Sequence, residues 1–83
     1  MEIQHEMGRQ RFVVRTDGQE SVLEYRLLEN NGIDFTRTFV PGPLRGHGIA
    51  EKLVRSGIAW ARERGFTMQA SCWYVKRFLR HGH

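Results

Sequence analysis

The sequence is poor in cysteine, in proline and in long apolar runs, and each shortage closes off a class of protein. One thiol, Cys72, among 83 residues leaves no internal disulfide, and a reducing, cytoplasmic setting is the expectation. No apolar stretch approaches the roughly 20 residues that a membrane-spanning helix needs. The opening residues, MEIQHEMGRQ, hold no apolar segment of the secretory-leader kind, so no leader is expected. His5, Cys72, His81 and His83 lack the spacing of a metal-ligand set, and no metal is expected. Acidic residues are outnumbered, nine against thirteen Lys and Arg, for a net charge of +4. Such a surface is either simply solvated or suited to an anionic partner: nucleic acid, a phosphorylated cofactor or an acidic protein. What is present, 40% hydrophobic and 27% charged residues, suits a folded domain, and the length allows one, residues 1–83.

Alternation and turn residues predict three strands in succession. RQRFVVRT (residues 9–16) places Phe12 and Val14 on one face and Val13 on the other. After the turn DGQE, SVLEYRLLE (residues 21–29) puts Leu23, Tyr25 and Leu27 on one apolar face. Asn30, Asn31 and Gly32 tolerate positive φ and predict a hairpin, followed by the alternating strand IDFTRTFV (residues 33–40). The period then changes. Ile49, Ala50, Leu53, Val54, Gly57, Ile58 and Ala61 fall at helical spacing, with Glu51 and Arg55 able to pair outside and Gly65 placed to end the helix. FTMQAS (residues 66–71) predicts a fourth strand, parallel to the third. WYVKRFLRHG (residues 73–82) predicts a last helix with Tyr74, Val75, Phe78 and Leu79 inward and Lys76, Arg77, Arg80 and His81 near its end. The order is β-β-β-α-β-α, an α+β fold of α/β type.

Between the third strand and the long helix lies PGPLRGHGIA, which contains the chain's only two prolines, Pro41 and Pro43. No Ser, Thr, Asp or Asn stands at the helix entrance, so its first amides have no side-chain cap. Gly46 and Gly48 let a ligand approach the backbone. The helix tip carries partial positive charge, and Arg45 adds a planar cationic fork. Together these predict an anion site, with the diphosphate of a nucleotide-like cofactor as its natural occupant. The turn is neither a P-loop, since no Gly-Lys-Ser/Thr follows, nor a dinucleotide fingerprint, since a β-meander precedes it and no second β-α-β unit exists. A bare strand-to-helix turn capped by Gly46 is the plainer alternative.

The segment Arg45-Gly46-His47-Gly48-Ile49-Ala50 resembles the R-x-x-G-x-A acyl-CoA signature of the GNAT acetyltransferase superfamily. With LEYRL, IDFTRTFVPGPLRGHGIAEKLV, WARERG and SCWYV, the chain from about Phe12 to Leu79 resembles the small single-domain GNAT-like acetyltransferases. The resemblance implies a mixed sheet splayed between the third and fourth predicted strands, with the acetyl-CoA arm in the splay. It implies diphosphate binding by the amides of Leu44, Arg45, Gly46, His47, Gly48, Ile49 and Ala50, and pantetheine binding along Thr38, Phe39 and Val40. It implies direct acetyl transfer to an amine of a small molecule or protein, with Tyr74 protonating the departing thiolate. The pattern is departed from at three places: Arg37, Phe39 and Ala70 stand where the family commonly has His, Glu and Pro. The first helices of larger members, which wall the acceptor site, are absent.

Other residues carry alternatives. Cys72, beside the splay and before a helix, is either an acetyl-accepting or CoA-linked thiol or an inert buried one. Glu24, Asp34 and His47 are the candidate bases for the acceptor amine, and His47 is otherwise an exposed loop residue. Arg37 faces one side of the sheet, to steer an acidic group or to be solvated. Trp60 is expected to cover a core edge, and Trp73 to be partly buried. Two functions follow from the resemblance: an acetyl-CoA-dependent N-acetyltransferase, or a non-catalytic acyl-CoA-binding module or sensor. A basic nucleic-acid-associated domain is a third reading, weakened because Tyr74 and Phe78 fall on the apolar stripe of their helix.

Overall fold

The computed structural model of the chain describes residues 1–80. The predicted continuation of the last helix through His81 and Gly82, and His83 beyond it, lies outside the described residues. Five strands form one sheet in sequential order: β1 (Gln4–Glu6), β2 (Arg11–Thr16), β3 (Gln19–Leu28), β4 (Gly32–Phe39) and β5 (Thr67–Ala70). Two helices, α1 (Ile49–Glu63) and α2 (Trp73–Arg80), pack into a single apolar core with one face of that sheet. The first four strands pair antiparallel and β5 joins β4 in parallel, which gives the mixed α+β arrangement expected from the sequence.

The elements form for the reasons the residues suggest. Phe12 and Val14 on β2, Leu23 and Tyr25 on β3, and Ile33 and Phe35 on β4 supply the buried face. From α1, Ile49, Leu53, Val54, Gly57, Ile58 and Ala61 turn inward at helical spacing. The end of α1 is a Schellman turn: Gly65 sits at φ 77, its amide donates to the Arg62 carbonyl, and the Phe66 amide donates to Ala61. The β3–β4 hairpin turns on Asn30 and Asn31, both at positive φ. Leu27, expected inside, is instead 51% exposed, because β2 stops pairing with β3 at Glu24 and the hairpin overhangs the sheet.

Two features depart from simple alternation. In β4, Glu24 faces Arg37 while Tyr25 faces Phe35, so Thr36 is one residue too many and forms a bulge. Its hydroxyl donates to the Glu24 carbonyl at 3.3 Å. Beyond the bulge Arg37 and Phe39 pair with Glu24 and Val22, which face away from the helices, and the Arg37 guanidinium lies 5.1 Å over the Phe39 ring. The other is β1. The first predicted strand begins two residues late, after a 3-10 turn (Met7–Arg9) and Gln10 at φ 52, and the three residues before that turn make an edge strand of their own.

His5 holds β1 in place. Its Nε2 and the Tyr25 hydroxyl are 2.7 Å apart, its ring stacks on Phe12 at 3.9 Å, and Trp60 meets it edge-on at 4.5 Å. Burial, then the nearby Arg64 charge, hold this imidazole below its ordinary value of 6.5. The folded state therefore binds this proton less readily than the unfolded chain does. The stability that the neutral ring contributes is complete above pH 6.5 and declines as pH falls from there through the folded value. The urea midpoint should drop on going from pH 7.5 to 5.5, and His5→Phe should flatten that dependence. An unchanged slope in the variant would show that the ring's ionisation is not coupled to folding.

Candidate functional site

The turn after β4 is built by its own backbone. A 3-10 turn (Gly42–Leu44) starts with Pro43 near its front, and the amides of Leu44 and Arg45 donate to the carbonyls of Pro41 and Gly42 at 2.9 and 3.1 Å. Those two amides, expected among the anion-binding set, are thus consumed, and the open set begins at Gly46. Gly46 and Gly48 lie at φ 86 and 77, a left-handed conformation that costs most residues about 1–2 kcal/mol. Gly48 is the N-cap of α1, with no side-chain cap; the first helical bond is Lys52 amide to Gly48 carbonyl. Among the described residues, no hydrogen bond uses the amides of Gly46, His47, Gly48, Ile49 or Ala50. Helix entrances leave such amides to water or ligand.

Of these residues, Gly46, Gly48, Ile49 and Ala50 border a cavity of about 190 Å³. The strand end contributes Val40, the turn Leu44, Arg45, Gly46 and Gly48, helix α1 Ile49, Ala50 and Glu51, and helix α2 Tyr74. Arg45 donates from Nε to the Val40 carbonyl at 2.9 Å, which leaves its two terminal amino groups without a partner among the described residues. His47 does not line this cavity; it borders a second one of about 520 Å³, on the side of Val14, Asp17 and Glu2. The alternation of two left-handed glycines turns its side chain away from the neighbours on either side.

The sheet opens beside the cavity. The β4–β5 ladder runs from the Gly32–Thr67 pair to the Phe35–Ala70 pair and stops, while β4 continues to Phe39. Thr36, Arg37, Thr38 and Phe39 therefore have no strand on their β5 side, which is the expected splay. Past the last pair the Cys72 amide donates to the Phe35 carbonyl at 3.1 Å, and the chain turns into α2. Thr38 Oγ1 and Cys72 Sγ stand 3.5 Å apart across the gap.

Cys72 acts as the cap of α2. Burial pushes its thiol up, but hydrogen bonds from the Val75 amide, the Thr38 hydroxyl and the Tyr74 amide outweigh this and bring the thiol below its ordinary value. Tyr74 moves the other way: burial first, then the Glu51 carboxylate, keep its hydroxyl protonated, against the pull of Arg77 and Arg55. Glu51 is held by Arg55, with Oε2 accepting from Nε at 2.9 Å. The expected i,i+4 pair therefore forms; that Glu51 also faces Tyr74 depends on where α2 docks, which local spacing does not express.

The candidate bases are occupied or remote. Asp34 accepts twice from Ser71, and Glu24 pairs with Arg37 at 3.5 Å. Trp73, expected to be partly buried, is 69% exposed with Arg77 over its ring, because α2 turns Tyr74 and Val75 inward instead. Trp60 covers the core edge as expected, against Phe12, Tyr25 and Phe66. Among the described residues no helix is long and apolar enough to cross a membrane.

A family model described as GCN5-related N-acetyl-transferase matches residues 11–83. Protein NATD1 of Bos taurus is 30% identical over 80 residues, spanning 94% of this chain and 71% of that protein. Protein NATD1 of Homo sapiens is 29% identical over 80 residues with the same two coverages, 94% and 71%. A GCN5-like protein of Staphylococcus aureus, solved in solution by NMR, is 29% identical and superposes with a TM-score of 0.75, covering 96% of this chain and 78% of that one. An uncapped helix tip facing an opened parallel strand pair, agreement with the family model over nearly the whole length and a shared fold at this identity lead to one conclusion: the chain belongs to the GCN5-related N-acetyltransferase family.

Proposed function

We propose that the protein is an acetyl-CoA-dependent N-acetyltransferase that passes the acetyl group directly to an amine of a small molecule or protein. The observation that carries this reading is the sharing of one cavity by the open amides of the α1 entrance and the protonated hydroxyl of Tyr74. Acetyl-CoA would supply an acetyl thioester already activated toward amines. The amides of Gly46, His47, Gly48, Ile49 and Ala50 hold its diphosphate, joined by the terminal amino groups of Arg45. The edge of β4 at Thr38 and Phe39, with Val40 just beyond it, offers backbone donors and acceptors to the pantetheine amides, as a neighbouring strand would.

At the reacting end the amine nitrogen bonds to the thioester carbon and the carbon–sulfur bond breaks. Tyr74 gives its proton to the departing sulfur, and the proton of the new amide nitrogen leaves to water. Cys72 does not line the cavity and its thiol is engaged by the α2 entrance, which favours direct transfer over an acetyl-cysteine route. Tyr74→Phe should reduce kcat about 100-fold, within the usual range for loss of a general acid, while the acetyl-CoA Kd stays within about twofold. Stopped-assay measurement of CoA release, paired with calorimetric titration, checks both numbers. Full kcat in the variant would remove Tyr74 from the reaction.

A second reading, a non-catalytic acyl-CoA-binding module, is favoured by the state of the bases: Asp34 and Glu24 are both engaged, and Arg37 and Phe39 replace the family's common His and Glu. Titration with acetyl-CoA and with adenosine diphosphate, then a panel of amines, separates the readings. Saturable acetyl-CoA binding without CoA release from any amine selects the module. Indifference to both nucleotides together with salt-sensitive binding of RNA or DNA would move the protein out of both classes.

A further inference from the structure

The parting of β4 from β5 occurs at a defined place, and one side chain marks it. Asp34 Oδ1 accepts the Ser71 amide proton at 2.7 Å, and Asp34 Oδ2 accepts the Ser71 hydroxyl proton at 2.7 Å. Both carboxylate oxygens are spent on one residue. Asp34 faces Gln69 in the ladder, Phe35 faces Ala70 in the last pair, and Ser71 is the next residue of the chain. The Cys72 amide then closes on the Phe35 carbonyl, the Cys72 thiol caps α2, and the Lys76 amide bonds the Cys72 carbonyl. Four consecutive residues, from Ala70 to Trp73, thus pass from strand to helix with each step tied to β4 or to α2. Two residues after Cys72 comes Tyr74, in the cavity.

We propose that Asp34 is a positioning residue: its double bond to Ser71 sets the point at which the sheet splits, and through the Ser71–Cys72 turn it sets where α2 presents Tyr74. The role needs two acceptors at the reach of one methylene. A free carboxylate near the thioester would read as a base, but both oxygens of this one already accept from Ser71. The Thr38 hydroxyl, facing Cys72 from across the gap, cannot replace the clamp, since it touches the thiol and not the strand end. The consequence for the reaction rests on the acetyltransferase reading; the placement of α2 does not.

The chain carries its own probe of that placement, because Cys72 is the only cysteine. The test uses the full chain with Asp34→Ala, Asp34→Asn and Ser71→Ala, reading thiolate absorbance against pH, circular dichroism and steady-state kinetics. Asp34→Ala should move Cys72 ionisation up toward that of a free thiol, as the α2 entrance loosens. It should also cut kcat about tenfold to 100-fold through misplacement of Tyr74, with the KM for acetyl-CoA within about twofold because the α1 amides are untouched. Asp34→Asn, which still accepts the Ser71 amide proton and can donate to its hydroxyl, should recover most of both losses. Folded variants with unmoved Cys72 ionisation overturn the proposal, whatever their activity; complete loss of kcat in both Asp34 variants with Cys72 unmoved would instead make Asp34 a base. If Asp34→Ala does not fold, Ser71→Ala, which keeps the amide bond and loses the hydroxyl, decides by the same readouts. If the native chain neither binds nor consumes acetyl-CoA, the acetyltransferase reading falls, while the Cys72 titration still judges the clamp.

Discussion

Gly48→Glu weakens acetyl-CoA binding by at least about 100-fold and leaves a folded domain: that is the expected result of placing a carboxylate in the amide cradle, a loss worth about 2.7 kcal/mol. A Cβ at this position meets nothing within 4 Å, so the first added atom is not crowded. The local cost is the φ of 77, roughly 1–2 kcal/mol for a residue with a Cβ. What changes is the occupant of the helix tip. A glutamate there satisfies the open amides and the helix dipole itself, and repels the diphosphate that would otherwise do so. Gly48→Asn separates the two effects, since asparagine accepts the left-handed conformation and carries no charge. It should keep near-native stability and lose less than about tenfold in affinity. Calorimetric titration of both variants, with a thermal melt as the folding control, gives the comparison. Native affinity in Gly48→Glu would mean the cofactor is held elsewhere.

The largest loss of stability is expected at Gly57, in the middle of α1. A Cβ there would stand 2.6 Å from Leu23 Cδ2, 3.2 Å from Phe35 Cε1 and 3.5 Å from Phe12 Cε1. Leu23 and Phe35 are fully buried, so neither can swing aside. The helix backbone rests directly on the sheet at this residue. Gly57→Val adds three carbons where none fit, and overpacking of this kind costs about 3 kcal/mol. For a domain of this size that lowers Tm by roughly 12–24 °C. Gly57→Ala meets the same 2.6 Å contact with one added carbon in place of three and gains about 1 kcal/mol of helix propensity, so it should destabilise less than Gly57→Val. A Gly57→Val melt within about 3 °C of the native one would contradict the contact.

Much of this was legible in the residues. The four longer strands, α1 with its stop at Gly65, and the uncapped entrance at Gly48 all follow from local period and turn chemistry, and the strand bounds lie within two residues of those expected. The remainder depends on partners distant in sequence. The strand at His5 exists because Tyr25, Phe12 and Trp60 receive the imidazole, and nothing in Gln4, His5 and Glu6 alone announces it. The bulge at Thr36 moves Arg37 to the face away from the helices, a shift that alternation cannot express. Within the turn, composition marked Arg45, Gly46 and Gly48. It could not show that Leu44 and Arg45 spend their amides on Pro41 and Gly42, or that His47 looks into the other cavity. Asp34 and Glu24 read as free carboxylates until Ser71 and Arg37 are brought beside them.

The half-closed β4–β5 ladder also has a mechanical meaning. β5 is joined to the sheet by four residue pairs, and α2 follows it with Val75 as its one fully enclosed side chain. β5 and α2 are hydrogen-bonded to the sheet along one short seam, and the rest of their attachment is side-chain packing against α1 and β4. Regions with few anchoring contacts open at lower free energy than the whole. A molecule lying in the gap would bridge the seam from both sides, so that occupancy and the cohesion of β5 and α2 rise and fall together.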